Sequence, residues 1–149
     1  MNKEITIKTR DFGEVGIPED SVISFPEGIY AFEEEKQFVA LSPLGEETFP
    51  MWLQSVGNEG LCFIVYNPME VVPDYNPVIQ GEGSDVIAAD EGDEICYLSI
   101  ASIPEDFKKT TINMKSPIVV NKTKRVAAQI ILEQDYQMRY PLFKNREGE

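Results

Sequence analysis

The sequence has 149 residues, with 26 acidic and 13 basic side chains, 2 cysteines and no histidine, and its formal net charge is -13. This length is typical of one domain with its own core, and the negative charge disfavours direct binding to nucleic acids or anionic membranes. The absence of histidine removes the commonest general base and metal ligand at neutral pH, so we expect no cofactor, no metal site and no catalytic residue.

Alternating apolar and polar residues dominate the chain and predict β-strands. The period-two pattern occurs at residues 5–7, 39–41 and 126–132, where it is typical of half-buried strands. Residues 61–66 and 95–103 are apolar on both faces, which fits central strands that are covered on both sides. Ten prolines and ten glycines separate such runs. The predicted fold is therefore mostly β, a small antiparallel β-barrel-like single domain with at most one short helix.

The one helix predicted is a short segment at residues 84–89, with Ser84 as its N-cap. A further apolar strand is predicted at residues 117–120. It is placed to start at its proline, because proline cannot lie deeper in a ladder of backbone hydrogen bonds. Cys62 and Cys96 lie in apolar runs, where cysteine acts as a small buried hydrophobe, and this favours a reducing compartment. The N-terminus resembles no signal peptide, and no apolar run approaches the ~20 residues that span a bilayer, so we expect a cytoplasmic protein.

One stretch, SFPEGIYAFEEE at residues 24–35, combines a Pro-Glu-Gly turn with aromatic and acidic side chains. Turn chemistry alone favours small polar residues here, yet Tyr30 and Phe32 follow the turn at once. The next three residues are glutamates, whose mutual repulsion is relieved by solvent or by a cationic partner. Residues 90–94, DEGDE, also supply oxygen ligands for calcium, but without a spaced loop pattern a solvated loop is the simpler interpretation.

Seven segments, in this order and spacing, resemble the FliW family of flagellar assembly factors. They are FPEGIYAFEEEKQF, MWLQSV, FIVYNP, VPDY, LSIASIPED, TTINMKSPIVVN and YPLF. The resemblance extends from about Glu4 to Phe143. We therefore expect a FliW-like β domain at residues 1–143, and the charged residues 144–149 are expected to form a flexible C-terminal tail.

The resemblance implies a protein that is not an enzyme. Members of the family bind flagellin in the cytoplasm and antagonise the translational repressor CsrA, a basic RNA-binding dimer, and so couple flagellin synthesis to export. The acidic composition agrees with the charge of this repressor, because complementary fields speed encounter. Two mechanisms stay open, allosteric antagonism and direct mimicry of the repressor's RNA.

Carboxylates beside aromatic side chains suit an interface with an apolar centre and a charged rim. The residues predicted on this basis to bind a partner are Phe32, Glu33, Glu34, Glu35, Glu70, Asp74 and Tyr75. In the competing interpretation, Phe25 and Phe32 fill the core beneath the turn and the glutamates form a solvated face. A rival function is a small β-barrel enzyme or sugar-binding module that uses two carboxylates ~5–9 Å apart.

Overall fold

A computed structural model describes residues 3–46 and 48–143 of the protein. The predicted C-terminal tail, residues 144–149, lies outside the described residues. The strands are β1 Glu4–Thr9, β2 Gly13–Pro18, β3 Ile23–Ser24, β4 Gln37–Leu41, β5 Met51–Ser55, β6 Cys62–Tyr66, β7 Ile95–Ser102, β8 Thr111–Ile112, β9 Ile118–Asn121, β10 Val126–Gln129 and β11 Tyr140–Pro141. The helices are α1 Pro68–Val71 and α2 Glu82–Ile87. Two 3-10 turns lie at Glu19–Ser21 and Phe107–Lys109.

Seven of these strands close into a barrel. Around the barrel the order is β7, β6, β5, β4, β3, β10 and β9, and β9 pairs again with β7. Every pair in this ring is antiparallel except β3 with β10, where Ser24 lies opposite Val126 in a parallel bridge. The predicted mostly β, barrel-like fold is confirmed. The structure adds α1 to the one short helix that the sequence predicted.

Side chains of alternating parity fill the inside of the barrel, as the pleat of a strand requires. This inner core contains the apolar residues Phe25, Ile29, Phe38, Leu53, Leu61, Val65, Leu98, Ile118, Val120 and Ala127. Closure leaves no unpaired edge in the ring, so the inner core needs no further strand to cover it.

The β1–β2 hairpin lies on the outer face of β4 and explains why that strand is covered on both sides. Phe38 belongs to the inner core, whereas Val39 packs with Ile7 and Ile17 of the hairpin. The sequence predicted a half-buried strand here, and this is corrected because the local pattern does not reveal the covering hairpin. Arg10 fixes the hairpin tip by donating from Nη1 to the carbonyl oxygen of Cys62 at 2.8 Å.

A second outer core covers β7, β9 and β10. Its buried members are Tyr75, Ile87, Ile112, Met114, Val119, Ala128, Ile130 and Leu132. Helix α2 lies so close to this core that a Cβ added to Gly83 would be 2.5 Å from Cγ1 of Ile130. Ser84 is not the N-cap that the sequence predicted. The helix begins at Glu82, and its N-cap is Gly81, which has a φ of 82° and makes no side-chain cap hydrogen bond.

The ammonium group of Lys124 ties the segment after α2 to the β9–β10 turn. It donates to the carbonyl oxygen of Ala88 and to Oδ2 of Asp90 at 2.7 Å, and it lies 3.4 Å from Oδ2 of Asp93. The same Oδ2 accepts from Nδ2 of Asn121 at 2.9 Å. The ammonium of Lys124 thus lies beside two of the carboxylates that the sequence suggested as calcium ligands. The described residues contain no group of three His, Cys, Asp or Glu side chains that could hold a metal ion.

This arrangement predicts an acid-sensitive contribution to stability. The backbone N–H of Asp90 and the amide of Asn121 lower the pKa of Asp93 below its ordinary value of 3.8. A carboxyl with a lowered folded-state pKa stabilises the fold above its unfolded-state pKa, and this stabilisation is lost as pH falls through the folded-state value. Asp93→Asn should therefore lower the melting temperature at neutral pH and flatten its decline below about pH 4.

Thermal unfolding followed by circular dichroism from neutral to acidic pH measures this difference. Asp74→Asn, which makes the same substitution at an exposed residue, serves as the control. Identical pH profiles for wild type and Asp93→Asn would contradict the role given to Asp93.

Candidate partner-binding surfaces

Residues 25–36, here called the plug loop, join β3 to β4 and close one end of the barrel. Phe25 is 0% exposed and Ile29 is 2% exposed, and both belong to the inner core. The ring of Phe25 packs edge-on against that of Phe38, with 4.9 Å between centroids. Aromatic and aliphatic residues occur around this turn because they fill the end of the barrel.

The backbone of the plug loop is fixed by successive turns. Gly28 has a φ of 67°, and a Cβ at this position would lie 2.5 Å from the Cα of Glu33, so glycine is required on both counts. The N–H of Gly28 donates to Phe25 O at 2.8 Å, and the N–H of Phe32 donates to Ile29 O at 2.7 Å. The exposed side chains of the loop are therefore held in a defined arrangement.

The outer side of the plug loop presents two aromatic side chains among carboxylates. Tyr30 is 55% exposed and Phe32 is 40% exposed, and Glu27, Glu33 and Glu34 are exposed beside them. We call these five residues the acid–aromatic face. Of the predicted site residues, it brings together Phe32, Glu33 and Glu34. Sequence reasoning omitted Tyr30 and Glu27 from the site, although both lie in the stretch that it singled out.

Two details define how this face sits on the barrel. Phe32 packs edge-on against Phe63 with 5.5 Å between ring centroids, so it is anchored on one side and exposed on the other. Phe25 is a core residue as the competing interpretation expected, whereas Phe32 is only partly buried. Glu27, Tyr30 and Glu33 also line a cleft of about 200 Å³ against α2.

Glu35 differs from the two glutamates before it because its carboxylate is used inside the protein. Oε2 accepts from the hydroxyl of Ser55 at 3.1 Å, and Oε1 accepts from Nδ2 of Asn58 at 3.4 Å. These contacts hold the turn between β5 and β6. The carboxylate of Glu35 thus has a role in stability.

Glu35→Ala is expected to reduce the free energy of unfolding by about 1–2 kcal/mol, since it leaves Ser55 and Asn58 without their acceptor. Glu34→Ala, at an exposed neighbour, should change it by less than about 0.5 kcal/mol. Urea unfolding of both variants provides the comparison. Equal effects at the two positions would show that Glu35 is an ordinary surface residue.

The other three predicted residues lie away from the plug loop. Glu70 is exposed on α1, at the edge of a cavity of about 280 Å³ in the opposite mouth of the barrel. Asp74 is exposed, but Tyr75 is only 4% exposed. The hydroxyl of Tyr75 donates to Met114 O at 2.8 Å, so this tyrosine is a core residue and is corrected as a surface contact.

A second exposed aromatic pair lies near β8 and β11. Phe107 and Phe143 are 61% and 48% exposed, and their rings meet edge-on with centroids 6.0 Å apart. The nearby Tyr140 and Leu142 pack against the second outer core instead. The YPLF segment therefore covers the barrel with Tyr140 and Leu142 and exposes Pro141 and Phe143.

Two carboxyl groups have a pKa that is shifted in the direction opposite to the shift that a general acid needs. The guanidinium of Arg10 lowers the pKa of Asp11, and hydrogen bonds lower the pKa of Asp93, whereas a general acid near neutral pH needs a raised carboxyl pKa. Burial raises the pKa of the Cys62 thiol to about 11, which disfavours the nucleophilic thiolate. None of the described helices has the length and apolarity needed to cross a bilayer.

Comparisons with known proteins agree with this architecture. The FliW protein family model matches residues 6–142. The flagellar assembly factor FliW of Caldicellulosiruptor bescii is 38% identical over 141 residues, which cover 93% of this chain and 91% of the relative. That of Geobacter sulfurreducens is 34% identical over 140 residues, which cover 93% and 87%. A crystal structure of the flagellar assembly factor FliW matches with a TM-score of 0.85 and 31% identity, covering 95% of this chain and 99% of that one.

Proposed function

This chain belongs to the FliW family of flagellar assembly factors, and from that premise we propose that it binds flagellin in the cytoplasm and antagonises the translational repressor CsrA. Flagellin that is being exported then releases the factor, which relieves repression and restores flagellin synthesis. The acid–aromatic face is the observation that carries the repressor half of this proposal.

Charge supports a basic partner at that face. The protein carries a net charge of -13, and its field draws a cationic RNA-binding protein toward it and raises the association rate. Within the face, Tyr30 and Phe32 supply exposed apolar contact area in the same loop as three exposed glutamates. An aromatic centre with a polar, solvent-accessible rim is typical of a protein–protein interface.

Flagellin recognition is supported by family membership. We assign it no surface of its own, and the proposal leaves both shared and separate surfaces for the two partners. The proposal also assigns no catalytic step, in keeping with relatives that are named as assembly factors.

Co-elution from a size-exclusion column tests the proposal with purified CsrA and purified flagellin. We expect a complex with each partner, and we expect the CsrA complex to weaken as salt rises, because the screening length shortens to roughly 8 Å at physiological ionic strength. Elution of all proteins as separate species at low salt would overturn the proposal.

The two open mechanisms differ in whether a ternary complex exists. Mimicry of RNA requires that the protein and RNA exclude each other from one repressor face, whereas allosteric antagonism permits all three to associate. Titration of labelled RNA into the preformed CsrA complex distinguishes them. A ternary species supports allostery, and strict exchange supports mimicry.

A further inference from the structure

The two ends of the barrel differ, and the end opposite the plug loop is open. Its cavity of about 280 Å³ is lined by Ile23, Ala40, Met51, Cys96 and Val120. These residues lie at the starts of β3, β5 and β7 and near the ends of β4 and β9, which meet at one mouth. The cavity is thus an apolar extension of the inner core that is accessible from outside.

Two charged side chains line this mouth, Glu70 and Lys122. Glu70 lines the cavity and forms no ion pair with another described residue. Lys122 also lines it, but its ammonium lies 3.0 Å from the carboxylate of Glu94. The side chain of Asn67 caps α1 by accepting from the N–H of Met69 at 3.0 Å. Glu70 is therefore the rim group with capacity for a cation.

The size of the cavity limits what can enter. At about 280 Å³ it falls just below the range of roughly 300–1,000 Å³ in which pockets enclose drug-sized ligands. A buried apolar anchor from a partner protein, surrounded by a polar rim, fits such a volume. The net charge of -13 favours a basic chain as the source of that anchor.

We propose that the open mouth binds one aliphatic side chain of a peptide segment in which that residue is flanked by lysine or arginine. The aliphatic group enters among Ala40, Met51 and Val120, and the flanking cation pairs with the carboxylate of Glu70. The inference rests on the proposed function for its basic partner, and it gives that partner a second contact at the end of the barrel away from the plug loop.

Cys96 provides a reporter within the cavity. It lines the mouth and is partly exposed, whereas Cys62 is buried and burial raises the pKa of its thiol to about 11. Alkylation by N-ethylmaleimide at neutral pH should therefore modify Cys96 first, because its side chain is accessible to the reagent whereas that of Cys62 is buried. A group that fills the cavity shields Cys96 and slows this reaction.

The test uses the peptide acetyl-Gly-Lys-Leu-Lys-Gly-amide, with versions that carry alanine for leucine or glutamate for both lysines. At saturating concentration we expect the leucine peptide to slow Cys96 alkylation at least about threefold, and to shift the methyl resonances of Met51 and Val120. Both altered peptides should have little effect. Equal protection by the alanine peptide, methyl shifts confined to the plug loop, or no protection by the leucine peptide would overturn the inference.

Two variants separate the rim from general charge. Glu70→Lys should abolish the protection, while Glu105→Lys makes the same charge change at an exposed residue that does not line the cavity and should preserve it. Protection of Cys96 that rises with protein concentration in the absence of peptide would identify a second copy as the occupant and overturn the inference.

The peptide comes from neither CsrA nor flagellin, so its result is distinct from that of the co-elution experiment. If the leucine peptide does not bind, the inference about the pocket is overturned, and co-elution with CsrA and flagellin would still support the proposed function. If the peptide binds but CsrA and flagellin elute separately from the protein, the proposed function is overturned and, with it, the identity of the basic partner.

Discussion

Phe25→Ala is expected to reduce the free energy of unfolding by about 3–5 kcal/mol, the largest effect of any substitution considered. Phe25 is fully buried in the inner core and packs edge-on against Phe38. Its removal leaves a cavity at the closed end of the barrel and also frees the plug loop from its anchor. The cost therefore includes both the lost transfer free energy and the unfilled volume.

Equilibrium urea unfolding measures this loss, with Phe107→Ala as the matched control. Phe107 is 61% exposed, and its truncation should change stability by less than about 1 kcal/mol. A loss below about 1 kcal/mol for Phe25→Ala would show that the closed end does not depend on this side chain.

Gly28→Ala is expected to cost about 2–4 kcal/mol, because it combines backbone strain with a steric clash. The residue has a φ of 67°, and the new Cβ would meet the backbone of Glu33 at 2.5 Å. Backbone cannot rotate away as the end of a long side chain can. The plug loop must shift, and the exposed glutamates move with it.

Gly13→Ala provides a close control, since Gly13 has a φ of 66° and no atom within 4 Å of an added Cβ. It should cost only the strain of the left-handed conformation, about 1–2 kcal/mol. The difference between the two variants in chemical unfolding isolates the clash. Equal losses would contradict the close packing of the plug loop on itself.

The sequence predicted the barrel well where strands carry their own signal. The apolar runs at residues 61–66 and 95–103 correspond to β6 and β7, and the segment at 117–120 corresponds to β9. Alternation reports which residues favour a pleated, half-buried surface. The seven motifs, taken in their order along the chain, predicted membership of the FliW family, and the comparisons confirm this prediction.

The sequence could not predict contacts that are set by distant parts of the chain. Glu34 and Glu35 are adjacent and identical, yet only Glu35 meets Ser55, which is 20 positions away. Tyr75 follows an acidic turn that looks exposed, but its hydroxyl reaches Met114 across 39 positions. Burial of Val39 likewise depends on the hairpin. Each of these outcomes follows from tertiary packing, which overrides local pattern.

The dissociation constant of the CsrA complex, measured by calorimetry for two charge-reversal variants, tests most directly whether the acid–aromatic face binds the repressor. Glu27→Lys/Glu34→Lys changes that face, and Glu14→Lys/Glu105→Lys makes the same change in net charge at exposed residues elsewhere. We predict at least about tenfold weaker binding for the first variant and less than about threefold for the second. Unchanged affinity in the first variant, or equal losses in both, would contradict the account.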